Sequence, residues 1–222
     1  MSGLSILHTH PLFVVVDKPA GIPVIPGRND PERATVRSLL EKQLSRSVWV
    51  VHRLDRDTTG ALLFALDPGA HRTFNTAFER GSVDKRYLAL VRGAYAGPGE
   101  IDVALAPARR NRMRPVREGE EGKPARTRVR VIERFGDHAT LVEAQPLTGR
   151  THQIRVHLAS VGHPLLFDHQ YGGKTQDELL SRTPLHASAL SFEGLEGLPD
   201  TRVEAPLPDD MARVISQLRG ES

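Results

Sequence analysis

Apolar residues recur along this chain on two periods, and the switches between them mark out its elements. Leu12 to Val16 is an apolar, β-branched run closed by the turn signal Lys18-Pro19-Ala20-Gly21, which predicts a strand. Val36, Leu39, Leu40 and Leu44 recur at helical spacing. Trp49 to Val51 and Ala61 to Leu66 are two further strand runs with a polar loop between them. Asp67 before Pro68 predicts a capped helix start; that helix buries Phe74, Ala77 and Phe78 and stops at Gly81. Tyr87 to Val91 reads as a strand ending at Gly93, and Val129 to Ile132 with Thr140 to Ala144 as hairpin partners across Gly136-Asp137. Ile154, Leu158 and Val161 mark one helix face, ended by Gly162. Ser188, Leu190 and Phe192 alternate as a strand. Met211, Val214, Ile215 and Leu218 predict a last amphipathic helix, capped by Asp209 and stopped by Gly220. Strands in runs with interspersed helices predict an α+β fold with a mainly antiparallel sheet, in one domain over residues 1–222.

Composition narrows the function classes. A chain of 222 residues buries enough core to need no staple, and it has no cysteine. Disulfides and thiolate metal sites are excluded, and a reducing compartment is expected. Met1 to Ser5 lacks a basic segment leading into an apolar run, and no stretch approaches the ~20 apolar residues of a membrane span. A cytoplasmic protein with no membrane association is the expectation.

The net charge is only +3, but its distribution is uneven. Lysine occurs only at Lys18, Lys42, Lys85, Lys123 and Lys174, and every other basic residue apart from histidine is arginine. Arg109, Arg110, Arg112, Arg114, Arg117, Arg126, Arg128 and Arg130 crowd one region, interrupted only by Glu118, Glu120 and Glu121. Glu118 to Lys123 reads as a surface loop. Arginine presents a planar fork suited to phosphate and base edges, so this stretch points to a polyanion. The plainer alternative is a composition that favours arginine throughout.

Three segments could carry chemistry. The first is His52-Arg53-Leu54-Asp55-Arg56-Asp57-Thr58-Thr59-Gly60, a polar loop between two strands. Flanking arginines would keep the Asp55 carboxylate ionised and available as a nucleophile. The plainer reading is a tight turn whose Asp and Thr side chains bond backbone amides. The second is Leu147-Thr148-Gly149-Arg150-Thr151-His152-Gln153-Ile154-Arg155-Val156-His157-Leu158, where polar residues enter an amphipathic helix. Arg155 lies at the margin of its apolar face, and a partly buried arginine needs an acidic partner, either a nearby structural carboxylate or Asp55. The third is Lys85-Arg86-Tyr87-Leu88-Ala89-Leu90-Val91, with Tyr87 and Ala89 on one strand face. A strand tyrosine is a core residue with a bonded hydroxyl or a platform for an unstacked base. His152 and His157 are five apart rather than four, and His163 and His186 have no partner at ligand spacing, so no metal is expected. No phosphate-cradling glycine loop is present, so no nucleotide cofactor is expected.

Together these segments resemble the RluA-type family of pseudouridine synthases. The matching stretches are Asp17-Lys18-Pro19-Ala20-Gly21-Ile22-Pro23-Val24, residues 52–60, Lys85-Arg86-Tyr87-Leu88, and residues 148–158 continuing through Gly162-His163-Pro164. Asp168-His169-Gln170-Tyr171-Gly172, Leu185-His186-Ala187 and Ala205-Pro206-Leu207-Pro208 follow in the family's order. Two departures stand out: Thr58-Thr59-Gly60 where the family usually has Thr-Ser-Gly, and an expected start directly at the catalytic domain where many members carry an N-terminal S4 RNA-binding domain.

The resemblance implies a single domain whose long mixed sheet is bisected by an active-site cleft. It also implies a reaction, the isomerisation of a uridine in structured ribosomal or transfer RNA to pseudouridine. The N1–C1′ bond breaks, the uracil rotates, and C5 bonds to C1′, so no cofactor is needed. Asp55 is then the required aspartate, Tyr87 the residue that stacks on the uracil, and Arg155 the basic partner of Asp55. Three roles for the aspartate stay open: attack on the ribose, addition to the base, or abstraction of a ribose proton. Arg53, Leu54, Arg56, Leu88, Arg150, His152, Gln153 and Ile154 are expected around the flipped nucleotide. A monomer is expected. Two other classes compete: an RNA-binding protein that has lost catalysis, which would lack the aspartate or tyrosine, and a nucleoside N-glycosidase, which would release free base.

Overall fold

A computed structural model describes residues 3–27, 33–109, 112–172 and 180–221. Arg110 and Lys174, both noted above, lie outside the described residues. The chain forms two compact units. One comprises the residues up to Lys85 with Ala187–Leu207; the other comprises Arg86–His186 with the residues from Pro208 on.

In the first unit, β1 (Ser5–His10), β2 (Phe13–Lys18) and β4 (Thr59–Ala65) lie side by side, and β3 (Trp49–Val50) pairs with β4. The Ala187–Phe192 part of β11 (Leu185–Phe192) follows β4, with β12 (Thr201–Glu204) beside it. β2 and β4 are buried on both faces, which is why they read as unbroken apolar runs. Helix α1 (Val36–Leu44) starts at Thr35, which forms a reciprocal capping box with Ser38. Helix α2 (Pro68–Arg80) is capped by Asp67 and ends at Gly81 in the left-handed region, as the sequence predicts. It sets Ala70, Phe74 and Ala77 against Phe13, Val15, Leu63 and Phe192. Phe13, Phe74 and Phe192 meet edge to face, with centroids 5.1 to 5.5 Å apart.

In the second unit, β5 (Val83–Arg92, from Arg86 on), β10 (Ala139–Pro146), β9 (Arg126–Phe135) and β6 (Glu100–Asp102) form an antiparallel row. The β9–β10 hairpin turns at the predicted Gly136-Asp137. A second hairpin, β7 (Leu105–Ala108) with β8 (Arg112–Pro115), forms inside the arginine-rich stretch. Helix α3 (Gln153–Ser160) packs on β8, β9 and β10.

Helix α4 (Asp209–Arg219) closes the chain. Its N-cap is Pro208 and it has no side-chain cap; Asp209, expected to cap it, opens the first turn instead. There the carboxylate faces the positive end of the helix dipole without bonding an amide as a cap. The α+β class and the largely antiparallel pairing stand. None of the described helices is long and apolar enough to cross a membrane.

Candidate active site

The loop that carries Asp55 leaves β3 at Val50 and re-enters at Thr59 on β4. Buried groups hold it at several points. Lys18, 0% exposed at the end of β2, donates from Nζ to the carbonyls of Pro19 (2.8 Å), Arg56 (2.7 Å) and Thr58 (2.9 Å). The Gly21 amide donates to the same Arg56 carbonyl at 3.0 Å, and the Thr58 amide to the Asp55 carbonyl at 3.2 Å. Leu54, Thr58 and Thr59 are buried. At the loop's start, His52 Nε2 accepts the Leu63 amide of β4 at 3.0 Å, while its ring stacks on Phe78 with centroids 4.6 Å apart. The bond continues the β4 ladder where β3 ends. It requires Nε2 unprotonated; burial, and next the Lys85 charge, push the His52 pKa down to about 3.

At the loop's end, Gly60 has a φ of +105°, and any Cβ there would strike the backbone of Ala187 on β11. Only glycine joins this loop to β4 without strain. Asp55 is therefore a half-buried carboxylate on a turn whose backbone is tied at both ends. A carboxylate fixed this way loses little freedom on reaching its reactive geometry. Of the two flanking arginines, Arg56 directs its Nε to Asp57 at 3.2 Å, and Arg53 is exposed.

In the second unit, Tyr87 is 8% exposed and lies opposite Ala144, which in turn lies opposite Val129. Thr127, two residues before Val129, holds α3 on that same face, so Tyr87 and the Arg155 helix share one side of the row. The anchor is a relay of bonds. Gln153 Nε2 donates to Thr127 Oγ1 (3.0 Å) and to the Arg126 carbonyl (2.8 Å). Thr127 Oγ1 lies 2.9 Å from His157 Nδ1, and His157 Nε2 lies 3.0 Å from the Val103 carbonyl. Nε2 must carry the proton towards that carbonyl, so Nδ1 accepts from the threonine. Burial first of all holds the His157 pKa below its usual range, against the opposing pull of the Val103 carbonyl and Asp102. Gln153 Oε1 accepts from Thr148 Oγ1 at 2.7 Å and the Arg150 amide at 3.0 Å.

Arg155 lies at the margin of α3 with its side chain 11% exposed. Its Nε and Nη2 grip Asp168 at 2.7 and 2.9 Å, and Nη2 also reaches Gln170 at 3.0 Å. Its guanidinium sits 5.0 Å over the Tyr171 ring. The Tyr171 hydroxyl in turn accepts the Met113 amide at 3.0 Å and meets His152 Nδ1 at 2.8 Å. Within this unit the acid that holds Arg155 is Asp168. Asp168 has its side chain 1% exposed and also accepts the Gln170 and Tyr171 amides, so it needs a full cationic partner.

Several residues expected around the nucleotide also have contacts or bonds within the fold. Leu54 and Ile154 are core, the Gln153 amide is committed to α3 docking, and Arg150 donates to the Pro124 carbonyl at 2.9 Å. Leu88 lies on the face opposite Tyr87. Lys18 and Asp168 fall within the matched stretches, but sequence reasoning assigned them no role. A lone lysine at the end of a fully apolar strand is the signal that could have marked Lys18 as buried. No group of three metal-ligating side chains occurs among the described residues.

Residues 12–160 match the family model described as RNA pseudouridylate synthase. The chain is 39% identical over 224 residues to a ribosomal large subunit pseudouridine synthase C of Pasteurella multocida (strain Pm70), covering 96% of this chain and 68% of the relative. It is also 39% identical over 229 residues to a ribosomal large subunit pseudouridine synthase D of Nitrosomonas europaea, covering 97% and 65%. The structure of human RNA pseudouridylate synthase domain containing 4 superposes with a TM-score of 0.78 at 27% identity, over 97% of this chain and 93% of that one. With the family model spanning more than half of its length, and relatives 39% identical along nearly all of it, this chain belongs to the RNA pseudouridylate synthase family.

Proposed function

We propose that this protein isomerises a uridine in ribosomal RNA of the large subunit to pseudouridine, with Asp55 as its essential carboxylate. The observation that carries the reading is the match along 96% of the chain to an enzyme named for that reaction, with the motif aspartate on a turn tied by Lys18, Gly21 and Thr58. Residues 1–222 act in this reading as one catalytic domain, a cytoplasmic monomer without nucleotide cofactor or metal. Tyr87 stacks on the flipped uracil, Arg155 is the basic residue of the site, and Arg53, Arg56 and His152 are placed among the groups that meet the nucleotide. Because synthases named C and D match equally well, identity alone does not select the target uridine.

The reaction moves no electrons to an acceptor: the N1–C1′ bond breaks, the C5–C1′ bond forms, the C5 proton leaves to solvent, and N1 takes up a proton in its place. Flipping the uridine costs a few kcal/mol of stacking, which binding must offset. Asp55→Asn tests the assignment, because the amide is nearly isosteric but a far poorer nucleophile or base. Tritium release from RNA labelled at uridine C5 should fall to background, with the urea midpoint and RNA affinity retained. Turnover by the variant would remove Asp55 from the chemistry.

A further inference from the structure

Of the three non-glycine residues with positive φ among the described residues, two flank the Arg155–Asp168 pair. His152, the N-cap of α3, has a φ of +54°, and Phe167, buried just before Asp168, has a φ of +56°. Histidine is among the residues that enter the left-handed region, but a bulky residue there is an outlier. Such backbone persists only where the surrounding structure holds it, and it gathers at sites that must present a side chain in one orientation. The contacts that converge here run through Tyr171.

Tyr171 is half-buried, and each part of it has its own contact. Its amide donates to Asp168 Oδ1 at 3.2 Å, so the carboxylate that grips Arg155 also seats the tyrosine. Its ring packs with Met113 against Leu105, Ala125 and Val156, and the Arg155 guanidinium lies 5.0 Å over it. A guanidinium gripped by a carboxylate along one edge can still swing about that edge; an aromatic ring under its face opposes the swing. The hydroxyl accepts the Met113 amide of β8 at 3.0 Å and meets His152 Nδ1 at 2.8 Å. A phenol oxygen can serve an amide and an imidazole at once. The strand amide thus anchors the oxygen, and the oxygen holds the imidazole. His152 bonds this hydroxyl and not the amides of the helix that it opens.

We infer that Tyr171 is a positioning residue of the active site, which aims the His152 imidazole through its hydroxyl and sets the plane of the Arg155 guanidinium through its ring. His152 and Arg155 have their roles from the proposed function, on which this assignment rests; the place of Tyr171 comes from bonds within the second unit. Two parts of one side chain then serve two ends: the hydroxyl the capture of the nucleotide, the ring the orientation of the cation at the site.

The experiment separates the hydroxyl from the ring on large-subunit ribosomal RNA transcribed in vitro with uridine tritiated at C5. Tyr171→Phe removes the hydroxyl and keeps the ring. Its KM should rise about fivefold, as the loss of one hydrogen bond predicts, with kcat within about twofold of wild type. A merely structural tyrosine would lower the urea midpoint and leave the KM of the folded protein unchanged. Tyr171→Leu also removes the ring, and its kcat should fall about tenfold below that of the Phe variant. If the Leu variant does not fold, a cycle with His152→Ala decides. In that background Tyr171→Phe should change KM less than about twofold, because the hydroxyl acts through the imidazole. An unchanged KM in the single Phe variant, or its full effect in the His152→Ala background, overturns the assignment. If wild-type protein binds the RNA but releases no tritium, the proposed reaction fails instead. The same cycle, read as RNA affinity by fluorescence anisotropy, then still reports whether the hydroxyl acts through His152.

Discussion

Two histidines carry a consequence for pH that follows from their bonds alone. His52 Nε2 accepts an amide, and His157 Nδ1 accepts the threonine hydroxyl, so protonating either ring replaces an acceptor with a donor. Both folded pKa values lie below the ordinary 6.5, that of His52 at about 3. The unfolded chain therefore takes up protons first as pH falls. Stability is fully present above about pH 6.5 and declines below it, by up to about 1.4 kcal/mol per pH unit for each ring, for His52 down to about pH 3. Urea midpoints at pH 7.5, 6.0 and 5.0 should drop steadily, before most carboxylates titrate. A flat midpoint across that range would mean the rings are not held neutral. At this scale the sequence marks the candidate carboxylate, Asp55, but not the residues that hold it. Lys18 lies 38 positions along the chain from Arg56 and reaches backbone carbonyls of this loop, which no side-chain pattern encodes.

At the scale of elements, α3 has a weak apolar stripe for its length and is docked by polar as well as apolar groups, with Gln153 and His157 on one face bonded to Thr127 and Arg155 at the margin. Arg155→Ala would leave Asp168 buried without its cation, at a cost of about 3–5 kcal/mol. Arg155→Lys should recover only part of that, because an ammonium cannot present the bidentate fork. Chemical denaturation of the three proteins measures both effects. If the alanine variant unfolds at the wild-type urea concentration, the Arg155–Asp168 pair is not structural and the arginine is held for chemistry alone. The strands the sequence missed share a cause. β1, β6, β7, β8 and β12 are short or edge elements with little apolar alternation, and they exist because a neighbouring strand offers a ladder of backbone groups. β8 reads Arg-Met-Arg-Pro, which no local preference makes a strand.

For the whole molecule, four histidines are already committed to bonds within the fold. His163 is bonded at Nδ1 to the Arg92 carbonyl and at Nε2 by the Ala96 amide. His157 is likewise bonded at both nitrogens, and one nitrogen of His52 and of His152 is taken. A metal would have to displace these bonds at each ring. Protein dialysed against EDTA should keep its full rate of tritium release on an RNA fragment whose fold does not depend on magnesium. Loss of activity restored by one added divalent cation would require a metal site that the proposed mechanism lacks.

The class of fold, the long strands and the capped helices are legible in the chain before it folds, because they depend on periodicity and on cap and turn residues within a few positions. Asp67 before Pro68, Gly81, and the β9–β10 turn at Gly136-Asp137 are all local signals of this kind. The family is legible too, through ordered motifs around Asp55, Tyr87 and Arg155. Which groups pair was settled only in three dimensions. Arg155 met Asp168 because chain reversal after α3 brings residues thirteen apart into contact. Arg114 and Arg130, similar in composition and setting along the chain, received different fates, the first from the loop that follows its strand and the second from its strand partner. One faces its own glutamate, and the other shares Glu143 with Arg86. Pairing across strands is a property of register, and register is settled by the burial of whole faces rather than by any single residue.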